Sequence, residues 1–109
     1  MKDNEKLEKI KEIILEECRK AQVVVERIIF FGSRARGDNR EDSDFDIMVL
    51  TKKNMEFRDK QILLTKIKRV LAFEEIPNDI IFYSEKYFNE VKMFPGNIGY
   101  YINKEGKFI

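Results

Sequence analysis

Residues 32–46 read Gly32-Ser33-Arg34-Ala35-Arg36-Gly37-Asp38-Asn39-Arg40-Glu41-Asp42-Ser43-Asp44-Phe45-Asp46, set between the apolar runs Ile28–Phe31 and Ile47–Leu50. Both flanking runs are rich in β-branched, aromatic or long apolar side chains and are bounded by turn residues, so each predicts a strand. Gly32-Ser33 breaks the first strand, and Ser33 is a suitable N-cap for a short helical turn through Ala35. Gly37 to Ser43 is a polar loop. Asp44 and Asp46 then open the second strand two residues apart, which puts both carboxylates on one of its faces. A glycine turn of phosphate size beside paired carboxylates is what a metal-dependent reaction on a nucleotide requires.

Outward from this motif the chain alternates helix and strand. Upstream, Leu7, Ile10, Ile14, Cys18 and Ala21 recur at helical spacing, with Asp3 or Asn4 placed to cap the helix. A strand is expected over 27–31 and a second over 44–51. Downstream, Leu63, Ile67, Val70 and Leu71 give the apolar stripe of a long helix from Met55 to Phe73, which Pro77 ends. Asn78 to Tyr83 reads as a third strand, and Ser84 as the cap of a helix that stops before Pro95-Gly96. The tail adds one or two helical turns that Gly106 terminates, with 107–109 extended. The short link between the first two strands and the helical link between the second and third predict a mixed sheet. The fold class is therefore α+β, a small mixed β-sheet flanked by helices.

The 109 residues suit one domain, 1–109, with a real core. Twenty-one basic side chains nearly cancel twenty acidic ones, which argues against broad electrostatic binding to nucleic acid. There is no histidine and a single cysteine. That excludes Ser-His-Asp and Cys-His catalysis, a disulfide framework and His- or Cys-ligated zinc. Cys18 lies on the apolar face of the first helix and reads as core. No run is long enough to span a membrane, and the expected location is the cytoplasm.

Carboxylates, lysines or tyrosines are left to carry proton transfer or metal binding. Asp44 and Asp46 offer hard oxygen ligands suited to Mg²⁺ or Mn²⁺, which take further ligands from substrate phosphates. Phe45 and Ile47 point the opposite way, into the core. Gly32 lets backbone N–H groups approach a phosphate, and the Ser33 hydroxyl adds a donor. Asp79 opens the third strand; beside the second strand it would meet the pair at the same sheet end. Arg34 and Arg36 can neutralise phosphate charge, and Arg36 can equally brace the loop through Asp38 or Asp42. The four tyrosines read mainly as packing groups.

Gly32-Ser33-Arg34-Ala35-Arg36-Gly37, followed by Ser43-Asp44-Phe45-Asp46 and an apolar strand, resembles the signature of the DNA polymerase beta-like nucleotidyltransferase superfamily. Within it the chain is most similar to the minimal single-domain branch, the MNT or MntA-like antitoxins. The likeness extends to Asn78-Asp79-Ile80-Ile81-Phe82 and to the tail Ile98–Phe108 with Glu105-Gly106-Lys107. It implies the nucleotidyltransferase fold, with Gly32 and Ser33 holding the triphosphate of ATP. It implies that Asp44 and Asp46 bind two Mg²⁺ ions, and that Asp79 binds the catalytic one and helps activate the acceptor hydroxyl. It implies a partner, a HEPN-domain toxin, with transfer of AMP to a tyrosine hydroxyl of that toxin and a hetero-oligomer as the working form. Two alternatives stand beside this: neutralisation of the partner by binding alone, and nucleotidyl transfer to a small molecule.

Overall fold

The computed structural model describes residues 1–109. The chain runs α1 (Asp3–Lys20), β1 (Val25–Phe31), α2 (Gly32–Arg36), β2 (Phe45–Thr51), α3 (Phe57–Phe73), β3 (Asn78–Ser84), α4 (Glu85–Val91), α5 (Ile98–Glu105) and β4 (Lys107–Phe108). The strands form one sheet in the order β3-β2-β1-β4. β1 is antiparallel to β2 and to β4, whereas β2 and β3 are parallel. The sheet is mixed, as the connection lengths require.

Alternation along β2 divides the core into two layers. Phe45, Ile47 and Val49 join Ile28, Phe30, Ile80 and Phe82 on the face covered by α1 and α3. Ile10, Ile14 and Cys18 of α1 and Leu63, Ile67 and Leu71 of α3 complete that layer. Met48 and Leu50 point the other way and pack with Ile29, Phe88 of α4 and Ile102 of α5. Each large side chain buried this way contributes about 1.5–3 kcal/mol. The pattern also locks the register: a slip of one residue in β2 would turn the Asp46 carboxylate into the layer beneath α1 and α3 and move Phe45 and Ile47 out of it.

Local differences from the sequence reading have physical causes. Lys2, not Asp3 or Asn4, occupies the N-cap of α1 and provides no side-chain cap. The Asp3 carboxylate is drawn instead to Arg34, whose Nη1 donates to it at 3.1 and 3.3 Å. Ala21 lies just past the end of α1, exposed to solvent. α2 begins at Gly32 directly after the strand, so Ser33 is inside the turn rather than at its cap. α3 starts at Phe57, two residues later than its apolar pattern suggests. Ser84 does cap α4, accepting from the Tyr87 N–H at 3.1 Å. Gly106 ends α5 in a confined place: a Cβ there would sit 2.4 Å from Ile29 Cγ2 and 2.5 Å from the Ile102 carbonyl oxygen. That close approach lets residues 107–108 turn back and pair with β1. No helix is long and apolar enough to cross a membrane.

Candidate active site

Three chain segments meet at one end of the sheet. β1 arrives there with its C-terminus, and the parallel strands β2 and β3 start there. In register, Asp46 lies opposite Phe31 of β1 on one side and Asp79 of β3 on the other. Residues paired across parallel strands stand about 4.8 Å apart and present side chains to the same face. Asp46 and Asp79 are thus neighbours on the α4/α5 side of the sheet, two residues ahead of its apolar layer at Met48 and Ile81. Asp44 precedes β2 by one residue and shares the face parity of Asp46.

Gly32 leaves β1 at φ +80°, a conformation that L side chains rarely adopt. Space demands glycine as well. A Cβ built there would lie 2.0 Å from Asp46 Oδ2, so the carboxylate of Asp46 rests against the bare α-carbon of the turn. The glycine turn and the acidic strand end are therefore in direct contact, with Ser33 next in the chain.

Asp46 is half-buried, while Asp44 and Asp79 are exposed. Burial raises the Asp46 pKa above the usual carboxylate value, and the charges of Asp79 and then Asp44 push it the same way; Arg36 pulls it down. Asp46 thus feels both of the other carboxylates, although the three are not closed into a ready-made three-ligand cluster. Carboxylate oxygens are the donor type that a hard divalent cation takes.

The two arginines of the turn behave differently from one another. Arg36 is exposed; its Nε donates to Asp38 Oδ2 at 3.2 Å and its Nη1 to Glu105 Oε1 at 3.0 Å. Of the bracing partners considered for it, Asp38 is used and Asp42 is not, and Glu105 joins from α5. The Arg34 side chain is only 5% exposed. Its Nε donates to the Ser43 carbonyl at 2.8 Å, its Nη2 to the Glu41 carbonyl at 2.7 Å, and its Nη1 to Asp3. Every guanidinium nitrogen is occupied, so the expectation that Arg34 neutralises phosphate meets a group already committed to the protein. Asp3, expected as a cap, and Glu105, part of the family likeness, are not legible in the sequence as partners of these arginines, because they join the site from 31 and 69 residues away and no local spacing signals such a pair. Tyr83–Tyr87 and Tyr100–Tyr101 pack edge to face, with centroids 5.0 and 5.3 Å apart.

A cleft of about 440 Å³ opens elsewhere, between Val23-Val24, Lys52–Glu56 and Leu63. It adjoins the far end of the β1–β2 ladder, where Val25 pairs with Thr51, and none of the acidic or glycine residues of the site lines it.

The family described as nucleotidyltransferase domain matches residues 7–99, a span that includes the turn and all three aspartates. The chain belongs to this family. Over 57 residues it is 37% identical to a Methanocaldococcus jannaschii protein named "putative protein adenylyltransferase"; the match covers 52% of this chain and 54% of that one. The chain thus aligns with about half the length of that relative. A crystal structure of a "putative nucleotidyltransferase" from Sulfolobus solfataricus superposes with TM-score 0.54 at 23% identity, over 94% of this chain and 80% of that one. A toxin-antitoxin crystal structure with AMP-PNP superposes with TM-score 0.53 at 20% identity, over 89% and 69%. At these identities the two superpositions establish a shared fold.

Proposed function

We propose that the chain is a divalent-cation-dependent nucleotidyltransferase that moves AMP from ATP onto a hydroxyl of a partner protein. The observation that carries this is the in-register pairing of Asp46 with Asp79 against the bare α-carbon of Gly32. Membership of the nucleotidyltransferase family supports it. The choice of AMP and of a protein acceptor draws on the name of the M. jannaschii relative.

In this reading the turn at Gly32-Ser33 receives the triphosphate, with backbone N–H groups and the Ser33 hydroxyl as donors. Arg36, exposed beside the turn, exchanges a carboxylate partner for a phosphate oxygen. Asp44, Asp46 and Asp79 would hold Mg²⁺, which supplies charge neutralisation at the α-phosphate and favours the attacking and leaving oxygens. Asp79, exposed at the strand mouth, accepts the proton of the incoming hydroxyl. The hydroxyl oxygen bonds to the α-phosphorus, the bond to the bridging oxygen of the β-phosphate breaks, and pyrophosphate leaves.

The partner we assign is a HEPN-domain toxin, with the acceptor a tyrosine hydroxyl and this chain the antitoxin. A protein partner is supported by Met93–Asn103, eleven residues without a charge. Met93, Phe94, Ile98 and Tyr101 within it are 48–69% exposed, an apolar surface of the kind that partners cover. The same surface favours a second reading, neutralisation by binding alone.

Incubation with Mg²⁺, labelled ATP and the product of the neighbouring gene decides between them. Transfer of label that is lost in Asp44→Asn/Asp46→Asn supports catalysis. No label on a partner that demonstrably binds refutes it. A double variant that still protects cells from the toxin assigns protection to binding.

A further inference from the structure

The three acidic side chains are held in place by different means. Asp46 sits between two ladder partners, Phe31 and Asp79. Asp79 is fixed by the β2–β3 register. Asp44 lies outside both ladders, at the end of the loop that follows α2, and it is exposed. The peptide that leaves it is held by the Phe45 N–H, which donates to the Pro77 carbonyl at 3.0 Å; the peptide that enters it is held by the side chain of Arg34.

Arg34 grips both chain neighbours of Asp44. Its Nε holds the Ser43 carbonyl at 2.8 Å, which sets the peptide plane leading into Asp44. Its Cζ lies 4.5 Å from the centroid of the Phe45 ring, directly after Asp44. Phe45 is fully buried and stacks on Phe30 with centroids 6.0 Å apart, so the platform under the guanidinium is rigid. A third contact, Nη2 to the Glu41 carbonyl at 2.7 Å, closes the loop one turn earlier. Asp3 takes the remaining nitrogen and ties the start of α1 to the same point. The Arg34 side chain is 5% exposed, although the Asp3 carboxylate and the Glu41 carbonyl that it reaches lie at the surface; hydrogen bonds from a charged donor are stronger than neutral ones.

We propose that Arg34 is a positioning residue that sets the Asp44 carboxylate against Asp46 and Asp79, and that it does not bind the nucleotide. The proposal rests on the reading of these aspartates as cation ligands. Lysine cannot replace Arg34, because one ammonium cannot serve a planar set of three acceptors and a ring face together.

The test measures Mn²⁺ uptake by the nucleotide-free protein, from the electron paramagnetic resonance signal of free Mn²⁺, for wild type, Arg34→Lys, Arg34→Ala and Asp46→Asn. Circular dichroism checks the fold, and amide hydrogen exchange follows residues 41–44. Arg34→Lys is expected to weaken Mn²⁺ binding about 10-fold or more, the usual effect of losing an outer-shell partner. Exchange at 41–44 should quicken and kcat fall, with KM for ATP within twofold of wild type. Should Arg34→Ala fail to fold, Arg34→Lys, which keeps the charge and the stem, carries the test. Unchanged Mn²⁺ affinity with a raised KM for ATP would make Arg34 a phosphate ligand and overturn the proposal. A wild type that takes up no Mn²⁺, or an Asp46→Asn variant that takes it up equally well, overturns the cation reading itself and this proposal with it.

Discussion

Replacing Gly32 by alanine separates the two demands placed on that residue. The first is backbone conformation: φ +80° costs an L residue about 1–2 kcal/mol. The second is contact. The new methyl would stand 2.0 Å from Asp46 Oδ2, 2.9 Å from its Cγ and 3.1 Å from its Cβ. The near atom is the end of a side chain, so Asp46 can rotate away at an added cost of about 0.5–1.5 kcal/mol. The sum is about 1.5–3.5 kcal/mol, which for a domain of this size lowers Tm by roughly 6–25 °C. The chemical loss should be larger than the stability loss suggests, because the rotation takes Asp46 away from Asp79. Thermal melting followed by circular dichroism gives the first quantity, and Mn²⁺ binding to the folded variant at low temperature gives the second. A cycle with Asp46→Ala removes the two nearest atoms and leaves only the Cβ at 3.1 Å: in that background Gly32→Ala should cost the backbone strain and that residual contact, less than in wild type. Equal costs in the two backgrounds would refute the contact argument. A Gly32→Ala protein that melts with wild type and binds Mn²⁺ normally would refute the whole of it.

Asp46→Asn should melt higher than wild type at pH 7. The raised pKa of Asp46, due to burial and then to Asp79 and Asp44, means that the native state holds this proton more tightly than the unfolded chain. The group's stabilisation is full below its ordinary pKa of about 4 and is lost as pH rises through the raised native value. The advantage of asparagine should therefore shrink towards acid pH, and a lower Tm at pH 7 would contradict the assignment. Ser84→Ala removes the acceptor of the Tyr87 N–H and should cost about 1 kcal/mol in a urea titration; an unmoved midpoint would show the cap to be idle. Cys18 is buried, and burial pushes its thiol up to about 11. Iodoacetamide at pH 8 should leave it unmodified in the native protein and label it in denaturant, and rapid native labelling would contradict its place in the core.

Much of this was legible because it is local. Alternation through Phe45, Asp46, Ile47 and Met48 assigns inner and outer faces at once, and a buried strand tolerates no other register. The shape of the link from β1 to β2 and the helix between β2 and β3 were enough to anticipate a mixed sheet. Asp79 could be tied to Asp46 only on the condition that their strands are neighbours, which the parallel register satisfies. What stayed hidden is carried by long-range side-chain pairs. Arg34 and Arg36 are two residues apart and alike in charge, yet one is sealed under Asp3 and over Phe45 while the other is open to solvent. Composition and spacing treat them alike, and tertiary burial alone tells them apart. The start of α1 shows the same limit in reverse. Asp3 is a good cap by residue type, but a charged partner 31 positions away competes for its carboxylate.

The central claim is that one sheet end, built from Gly32, Asp44, Asp46 and Asp79, gathers divalent cations. The most direct measurement is a titration of ¹⁵N-labelled protein with substoichiometric Mn²⁺, reading the loss of amide signals to paramagnetic relaxation. The signals of residues 32–33, 44–46 and 79 are expected to vanish first, while Thr51 and Ser84 at the opposite end of the same strands persist. Broadening centred on Thr51 and Ser84, or spread evenly over the carboxylates of α1, would contradict it.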